Sequence, residues 1–365
     1  MWKEIKAYFK CQDYFLLIII ICFALISCVA IHSATYNNNE LYYVKQLHLF
    51  GFGLVVYFFI SLIGYKKLTD FAPVFYILGC VMLLCVLYFG VTEMGATRWL
   101  KIGPQKAQPS EFFKVAWILM LTWVFSDLEP GRLGLIKLLK KFIWVIPPFL
   151  LVYKQPDLGT ASTYLAVWGL MALFLGIRRY IIIMFFVIGI ISAPIAWTHL
   201  EEYQQNRLIN FIFPDKDPGG GGYQAIQSRI TIGSGGLTGK GYLKGTQSHL
   251  NFIPERHTDF IYAVINEEFG FAGGLTVILL FLVLMGRIIY IATQFKEAEG
   301  KLICVGAAAL IFYQFFINIS MTVGIAPVVG VPLPFISYGR SSLLTFITLV
   351  GLVNAVYAAK CRNKY

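Results

Sequence analysis

The residues able to do chemistry lie in a few short polar runs set between long apolar ones. The densest is Pro254-Glu255-Arg256-His257-Thr258-Asp259-Phe260-Ile261-Tyr262. With Thr258 as the N-cap of a helix leading into the next apolar run, Asp259, Tyr262 and Asn266 fall at i, i+3 and i+7 and share one face. A carboxylate at the edge of an apolar segment is costly unless it meets water, a partner or a substrate, so Asp259 is the leading functional candidate. The plainer alternative is an acid at a helix start, paired with Arg256 or His257. Burial raises such a pKa while a helix N-terminus and cations lower it, and the sequence does not choose between them.

A second polar region is basic and rich in glycine. Gly219 to Gly222 precede Tyr223, Gln224, Gln227 and Arg229, and Gly233-Ser234-Gly235-Gly236-Leu237-Thr238-Gly239-Lys240-Gly241 follows. Backbone amides in such turns, with Arg207, Arg229, Lys240, Lys244 and Arg256, suit a phosphate or pyrophosphate; a solvated basic loop is the alternative. The run is not a P-loop, because Ser234 stands where the first glycine belongs and Gly241 where Ser or Thr should follow the lysine.

Arg98-Trp99 and Gln108-Pro109-Ser110-Glu111-Phe112-Phe113-Lys114 form a third group. Pro109 suits a first helical turn, and Glu111 and Lys114 at i and i+3 can neutralise each other inside an apolar run. That pair either fixes helix packing or lines a cavity. Gln155-Pro156-Asp157-Leu158-Gly159-Thr160 and Pro332-Leu333-Pro334-Phe335-Ile336-Ser337-Tyr338-Gly339-Arg340-Ser341-Ser342 interrupt the ends of two further apolar runs. Broken backbone at that depth is tolerated where it lines a wet cavity, although Asp157 also suits a simple N-cap. His32, His48, His199 and His249 are isolated and read as interfacial or loop residues. Glu267 and Glu268 point away from the Asp259 face.

The elements that position these groups are membrane spans. Of the 365 residues 58% are hydrophobic and 13% charged, too few charges to solvate a soluble protein of this length. Apolar runs of about 20 residues occur near 14–33, 46–64, 71–91, 109–126, 158–176, 179–198, 271–293, 302–325 and 341–359. A weaker tenth covers 136–153, interrupted by Pro147 and Pro148. The first run is too long for a signal peptide core and is read as a helix. The predicted fold is an all-α polytopic membrane protein, a single domain over 1–365, with ten transmembrane helices. The long loop over 199–258, between helices 7 and 8, is placed outside.

The formal charge is +11, and its distribution orients the chain. With ten spans and both termini cytoplasmic, Lys3, Lys6, Lys10, Lys66, Lys67, Arg132, Lys137, Lys140, Lys141, Arg178, Arg179, Arg287, Lys296, Lys301, Lys360, Arg362 and Lys364 face inward. The short outer loops hold few cations. The seven cysteines show no metal-ligand spacing, and none lies in an outer loop, so no disulfide is expected.

These blocks resemble the SEDS family (shape, elongation, division and sporulation) of membrane glycosyltransferases, its RodA branch more than its FtsW branch. The resemblance covers nearly the whole chain and rests on QPSEFFK at 108–114, QPDLGTA at 155–161, GYQAIQSRITIGSGGLTGKG at 222–241, PERHTDFI at 254–261 and PLPFISYG at 332–339. It departs at Arg340, where glycine is expected in many members.

The resemblance implies polymerisation of lipid II, an undecaprenyl-pyrophosphate-linked disaccharide pentapeptide, into β-1,4 glycan strands at the outer face of the bacterial cytoplasmic membrane, for elongation and cell shape. Asp259 matches the essential aspartate and is expected to act as general base. Glu111 and Lys114 match the paired acid and base of the fourth helix. Arg98, Lys240, Arg256, Arg229, Gln224 and Ser337 are then expected to hold substrate or pyrophosphate, with Asp157, His257 and Tyr262 as further cavity residues. A divalent cation, Mg²⁺ or Mn²⁺, is compatible with that chemistry, and the metal residues are left open. Expected partners are lipid II, the growing glycan, a class B penicillin-binding transpeptidase, the elongation machinery and membrane lipid, with no nucleic acid. The rival readings are a lipid-linked oligosaccharide flippase, an FtsW-like division polymerase and a recruiting scaffold.

Overall fold

The computed structural model describes residues 10–36, 41–93, 96–103, 105–128, 131, 133–198, 200–213, 222–250 and 252–362. Uninterrupted apolar sequence satisfies its own backbone by coiling into helices. The first are α1 (Tyr14–Ala34), α2 (Tyr42–Ile63), α3 (Tyr65–Asp70) and α4 (Ala72–Phe89). After a small sheet come α5 (Pro109–Phe125), α6 (Leu135–Phe142), α7 (Ile146–Tyr153), α8 (Leu158–Phe174) and α9 (Arg179–Thr198). The remainder are α10 (Glu202–Ile212), α11 (Tyr223–Ser234), α12 (Thr246–His249), α13 (Ile261–Gln294), α14 (Ala298–Val323) and α15 (Arg340–Arg362).

Six of these, α1, α2, α4, α13, α14 and α15, are long and apolar enough to cross a membrane. The four other expected spans fall on α5, on the pair α6 and α7, on α8 and on α9. The break between α6 and α7 falls just before Pro147 and Pro148, which have no N–H to continue a preceding helix but fit the first turn of a new one. Ile18, Leu25, Val55, Phe59, Ile77 and Ile183 point outward along their helices, an apolar surface of the extent a bilayer covers.

Among the described residues the fold departs from an all-helical expectation in a small sheet, besides an isolated bridge between Leu133 and Ile177. β1 (Val91–Glu93), β2 (Ala96–Ile102) and β3 (Gln105–Ala107) form an antiparallel meander with Val91 opposite Trp99 and Leu100 opposite Ala107. It carries Arg98 and Trp99 to the end of the bundle where α5 begins.

The long loop is also more ordered than its composition suggests, since α10, α11 and α12 lie within it. Its glycine-rich turn docks into a break in α13. Gly270, at φ 66° and ψ −164°, interrupts that helix, a conformation that L side chains rarely adopt. The carbonyls released there are taken up by the turn: Lys240 N donates to Glu267 O at 3.0 Å and Gly241 N to Glu268 O at 2.9 Å. Phe271 N in turn donates to Gly236 O at 2.9 Å and Ala272 N to Leu237 O at 3.1 Å. The amides of Lys240 and Gly241, read from sequence as part of an anion cradle, are thus spent on a helix break.

At the opposite end of the bundle, Asp13 caps α1 through Phe15 N (3.0 Å) and Leu16 N (3.3 Å) and accepts from Arg287 Nε at 2.8 Å. Asn354 of α15 bonds Gln12 and Ser61 and accepts from Asp13 N at 2.9 Å. These bonds seat the start of the chain on the last turns of α15. They also explain a correction: Cys11 and Cys361, expected to be free, are joined in a disulfide with Cα atoms 5.5 Å apart. The sequence places both in terminal segments without showing that the segments meet. Lys3, Lys6, Arg132, Lys364, His199 and Gly219 to Gly221, named above, lie outside the described residues.

Candidate active site

Asp259 does not sit on the helix. The chain over 254–260 is a run of turns, and α13 starts at Ile261 with Phe260 as an N-cap that makes no side-chain cap bond. Thr258, expected to cap, instead donates its hydroxyl to Glu255 O (3.1 Å) and Glu255 Oε2 (3.0 Å). The proposed i, i+3, i+7 face is therefore lost. Tyr262 is buried in the core, and its carbonyl accepts from Asn266 Nδ2 at 2.7 Å.

The turn is held from three sides. Asn318 Nδ2 of α14 donates to Asp259 O at 2.9 Å. Ser337 Oγ donates to Thr258 O at 2.6 Å and accepts from Leu333 N at 2.8 Å, while Tyr338 N donates to His257 O at 2.9 Å. The 333–338 loop is itself pinned to α1 and α2, with Ser27 Oγ donating to Ile336 O at 2.8 Å and Gln46 Nε2 to Ser337 O at 3.2 Å. Glu255 (φ 51°) and Phe335 (φ 63°) adopt left-handed backbone in these two segments, local strain of the kind that surrounding structure must hold in place. Gly330, at φ 75°, passes close to the acid: a Cβ there would stand 3.5 Å from Asp259 Oδ2.

Asp259 is partly buried in the wall of a cavity of about 610 Å³. Arg98, Lys106, Lys114 and Arg340 bring positive charge to the same cavity, and Glu111, Glu255 and His257 also line it. Burial, then the charge of Glu255, pushes the Asp259 carboxyl up to about 6, against the opposing pull of Arg98 and Arg207. Burial moves the His257 imidazole below its ordinary value, which leaves it neutral near pH 7.

Glu111 and Lys114 form a buried pair at 2.5 Å, with Glu111 3% and Lys114 1% exposed. The start of α5 is fixed by Tyr164, which donates from its hydroxyl to Ser110 O at 2.9 Å. The pair is interior, and both residues line the cavity.

Asp157 likewise serves twice. It caps α8, accepting from Thr160 N at 3.1 Å, and faces Arg98 Nη1 at 3.8 Å. Arg98 and Asp157 also line an adjoining cavity of about 130 Å³ that includes Arg207.

Several residues expected to hold substrate are elsewhere. Lys240 Nζ pairs with buried Glu267 at 2.7 Å and bonds Thr246 Oγ1 at 2.9 Å. Arg256 is buried with Nε donating to Ala34 O at 2.5 Å. Arg229 is exposed on α11 and packs over Gly324, and Gln224 lies on the same helix; neither lines the cavity. Ser337 braces the Asp259 turn from behind. For Lys240 and Arg256 the reason is shared: these cations of the long loop are consumed in docking it, and composition cannot tell a strut from a ligand.

Sequence reasoning missed Gln314 and Asn318. Both are polar residues inside the apolar run of α14, four apart and so on one face, and that is the signal that could have found them. Among the described residues no group of three or more His, Cys, Asp or Glu comes together in a way that could hold a metal ion. The described side chains therefore build no protein-only metal cage.

Fold and cavity together define a polytopic helical membrane protein with a charged, polar hollow at one end of its bundle. The chain belongs to the FtsW/RodA/SpoVE family of cell cycle proteins, whose profile matches residues 10–361. It is 38% identical to the peptidoglycan glycosyltransferase MrdB of Escherichia coli K12 over 94% of this chain and 92% of that one. It is 29% identical to the peptidoglycan glycosyltransferase RodA of Treponema pallidum, over 95% and 97%. Its fold superposes with a TM-score of 0.84 on a chain from a peptidoglycan synthase complex that coordinates polymerization and crosslinking, at 26% identity over 97% of this chain and 98% of that one.

Proposed function

We propose that this protein is a RodA-like peptidoglycan glycosyltransferase that polymerises lipid II, with Asp259 as general base. The observation that carries the reading is a partly buried carboxylate of raised pKa facing a cavity lined with cations. Asp259 accepts the proton of the 4-hydroxyl on the acceptor's GlcNAc. The freed oxygen bonds to the anomeric carbon of the donor's MurNAc, and the bond from that carbon to undecaprenyl pyrophosphate breaks. Attack opposite the leaving group inverts an α-linked donor to a β-1,4 product. General-base assistance of this kind contributes about 100-fold to 10,000-fold.

Negative charge grows on the departing pyrophosphate, and fixed cations stabilise it most where water is excluded. Arg98, beside Asp157 and between the two cavities, is the residue best placed for this, with Arg340 and Lys106 on the same wall. The described side chains build no cage for a metal, so a Mg²⁺ or Mn²⁺ would have to share its ligands with substrate phosphate.

The charge asymmetry of the loops supports ten spans, cytoplasmic termini and a cavity open to the extracytoplasmic side. Likeness to a chain of a complex that joins polymerization to crosslinking supports a class B penicillin-binding transpeptidase as partner. The test is purified protein, with and without that partner, incubated with lipid II. Glycan strands on a gel support the enzyme; translocation of lipid II without strand growth favours a flippase and defeats it.

A further inference from the structure

Gln314 of α14 is 1% exposed and lines the large cavity, and neither its Oε1 nor its Nε2 has a hydrogen-bond partner. Folded proteins keep few such groups, and an amide left unpaired at both ends in the wall of a cavity calls for an explanation. Four residues on, Asn318 of the same helix holds the carbonyl of Asp259. Gln314 therefore stands one turn away, about 6 Å along the helix axis from that level.

The two free ends restrict what the side chain can recognise. A phosphate offers only acceptors and would leave Oε1 unpaired. A cation would take Oε1 and leave Nε2. A secondary amide offers one carbonyl and one N–H, and satisfies both ends of the glutamine at once. On a 2-acetamido sugar the amide is two ring positions from the 4-hydroxyl. A sugar whose 4-hydroxyl meets Asp259 can thus reach one helical turn away with its acetamido group.

We propose that Gln314 reads the 2-acetamido group of the acceptor sugar, Nε2 donating to its carbonyl and Oε1 accepting from its N–H. The assignment rests on Asp259 acting at the 4-hydroxyl, and it makes Gln314 a specificity-determining residue of the same site.

The test compares lipid II with an analogue whose GlcNAc carries a free amine, using the full-length protein in complex with its transpeptidase partner. A buried amide that loses its partner rejects the analogue, and the wild type is expected to favour native lipid II by about tenfold to 100-fold in kcat/KM. In Gln314→Met that preference falls to within about twofold, chiefly through native substrate losing ground. Gln314→Glu, which can only accept, shifts preference toward the amine. Because Gln314→Met removes an unsatisfied amide, its thermal midpoint stays level or rises. An undiminished preference in Gln314→Met overturns the proposal, as does a midpoint lowered by many degrees, which would make the side chain a packing element. The ratio is read on active protein, so it fails separately from the general-base reading, which Asp259→Asn tests.

Discussion

Asn318 spans two loops with one amide group: Nδ2 donates to Asp259 O at 2.9 Å and to Val331 O at 2.7 Å. A side chain from within α14 thereby sets the height of the acid relative to the 328–331 segment that passes it. Asn318→Leu should strand two carbonyls in the interior, a loss of about 1–3 kcal/mol for each one left unpaired. Thermal unfolding should detect the loss, and lipid II polymerisation should drop in kcat more than KM rises, because the base is misplaced while the cavity remains.

Asp259→Asn should give a folded protein that binds lipid II and makes no polymer. The raised carboxyl also has a consequence for stability. Its native form holds the proton more tightly than the unfolded chain does, so its contribution is most favourable below the ordinary value of 3.8 and is lost as pH rises through about 6. At pH 7.5 the asparagine variant should therefore melt higher than wild type, and at pH 4 the difference should shrink.

The same carboxyl predicts the acid side of the pH–rate profile. The base must be ionised, so kcat/KM should be level above pH 7 and fall as pH drops through about 6. A profile that stays flat to pH 4.5 would remove Asp259 as the titrating base.

Breaking the Glu111–Lys114 pair should be costly in either direction. Glu111→Gln or Lys114→Met leaves one uncompensated charge in the interior, worth about 3–5 kcal/mol. The double variant should recover much of the stability measured by denaturation, since no lone charge remains. If both single variants melt like wild type, the pair is not the buried one described.

Lys240 separates a strut from a ligand. Lys240→Met leaves the buried Glu267 without its cation and should lower thermal stability. In the surviving folded fraction, KM for lipid II should stay within about twofold, because a residue outside the cavity removes no substrate binding. A tenfold rise in KM with unchanged melting would restore it to the site.

The sequence alone carried a good deal of this architecture. Runs near 20 apolar residues marked α1, α2, α4, α13, α14 and α15 because a membrane span must satisfy its backbone internally. The same logic singled out Asp259, Glu111 and Lys114, charges that an apolar environment tolerates only for a reason, and all three line one cavity. What stayed hidden depends on contacts between distant segments. Thr258 has the residue type of a cap, but Ser337 and Tyr338, some 80 residues on, hold that stretch as a turn. Lys240 and Arg256 have the charge of phosphate ligands, yet Glu267 and the Ala34 carbonyl take them first. The Cys11–Cys361 bond escaped for the same reason, because nothing local tells that two chain ends meet.

The break in α13 makes its register a matter of two chain segments at once. Gly236 to Gly241 precede in the chain the helix whose gap they fill. Adding one residue within 236–241 or 266–271 shifts four paired amides by a step and would rotate the short helical stretch that follows the Asp259 turn, drawing the acid away from the hollow it serves.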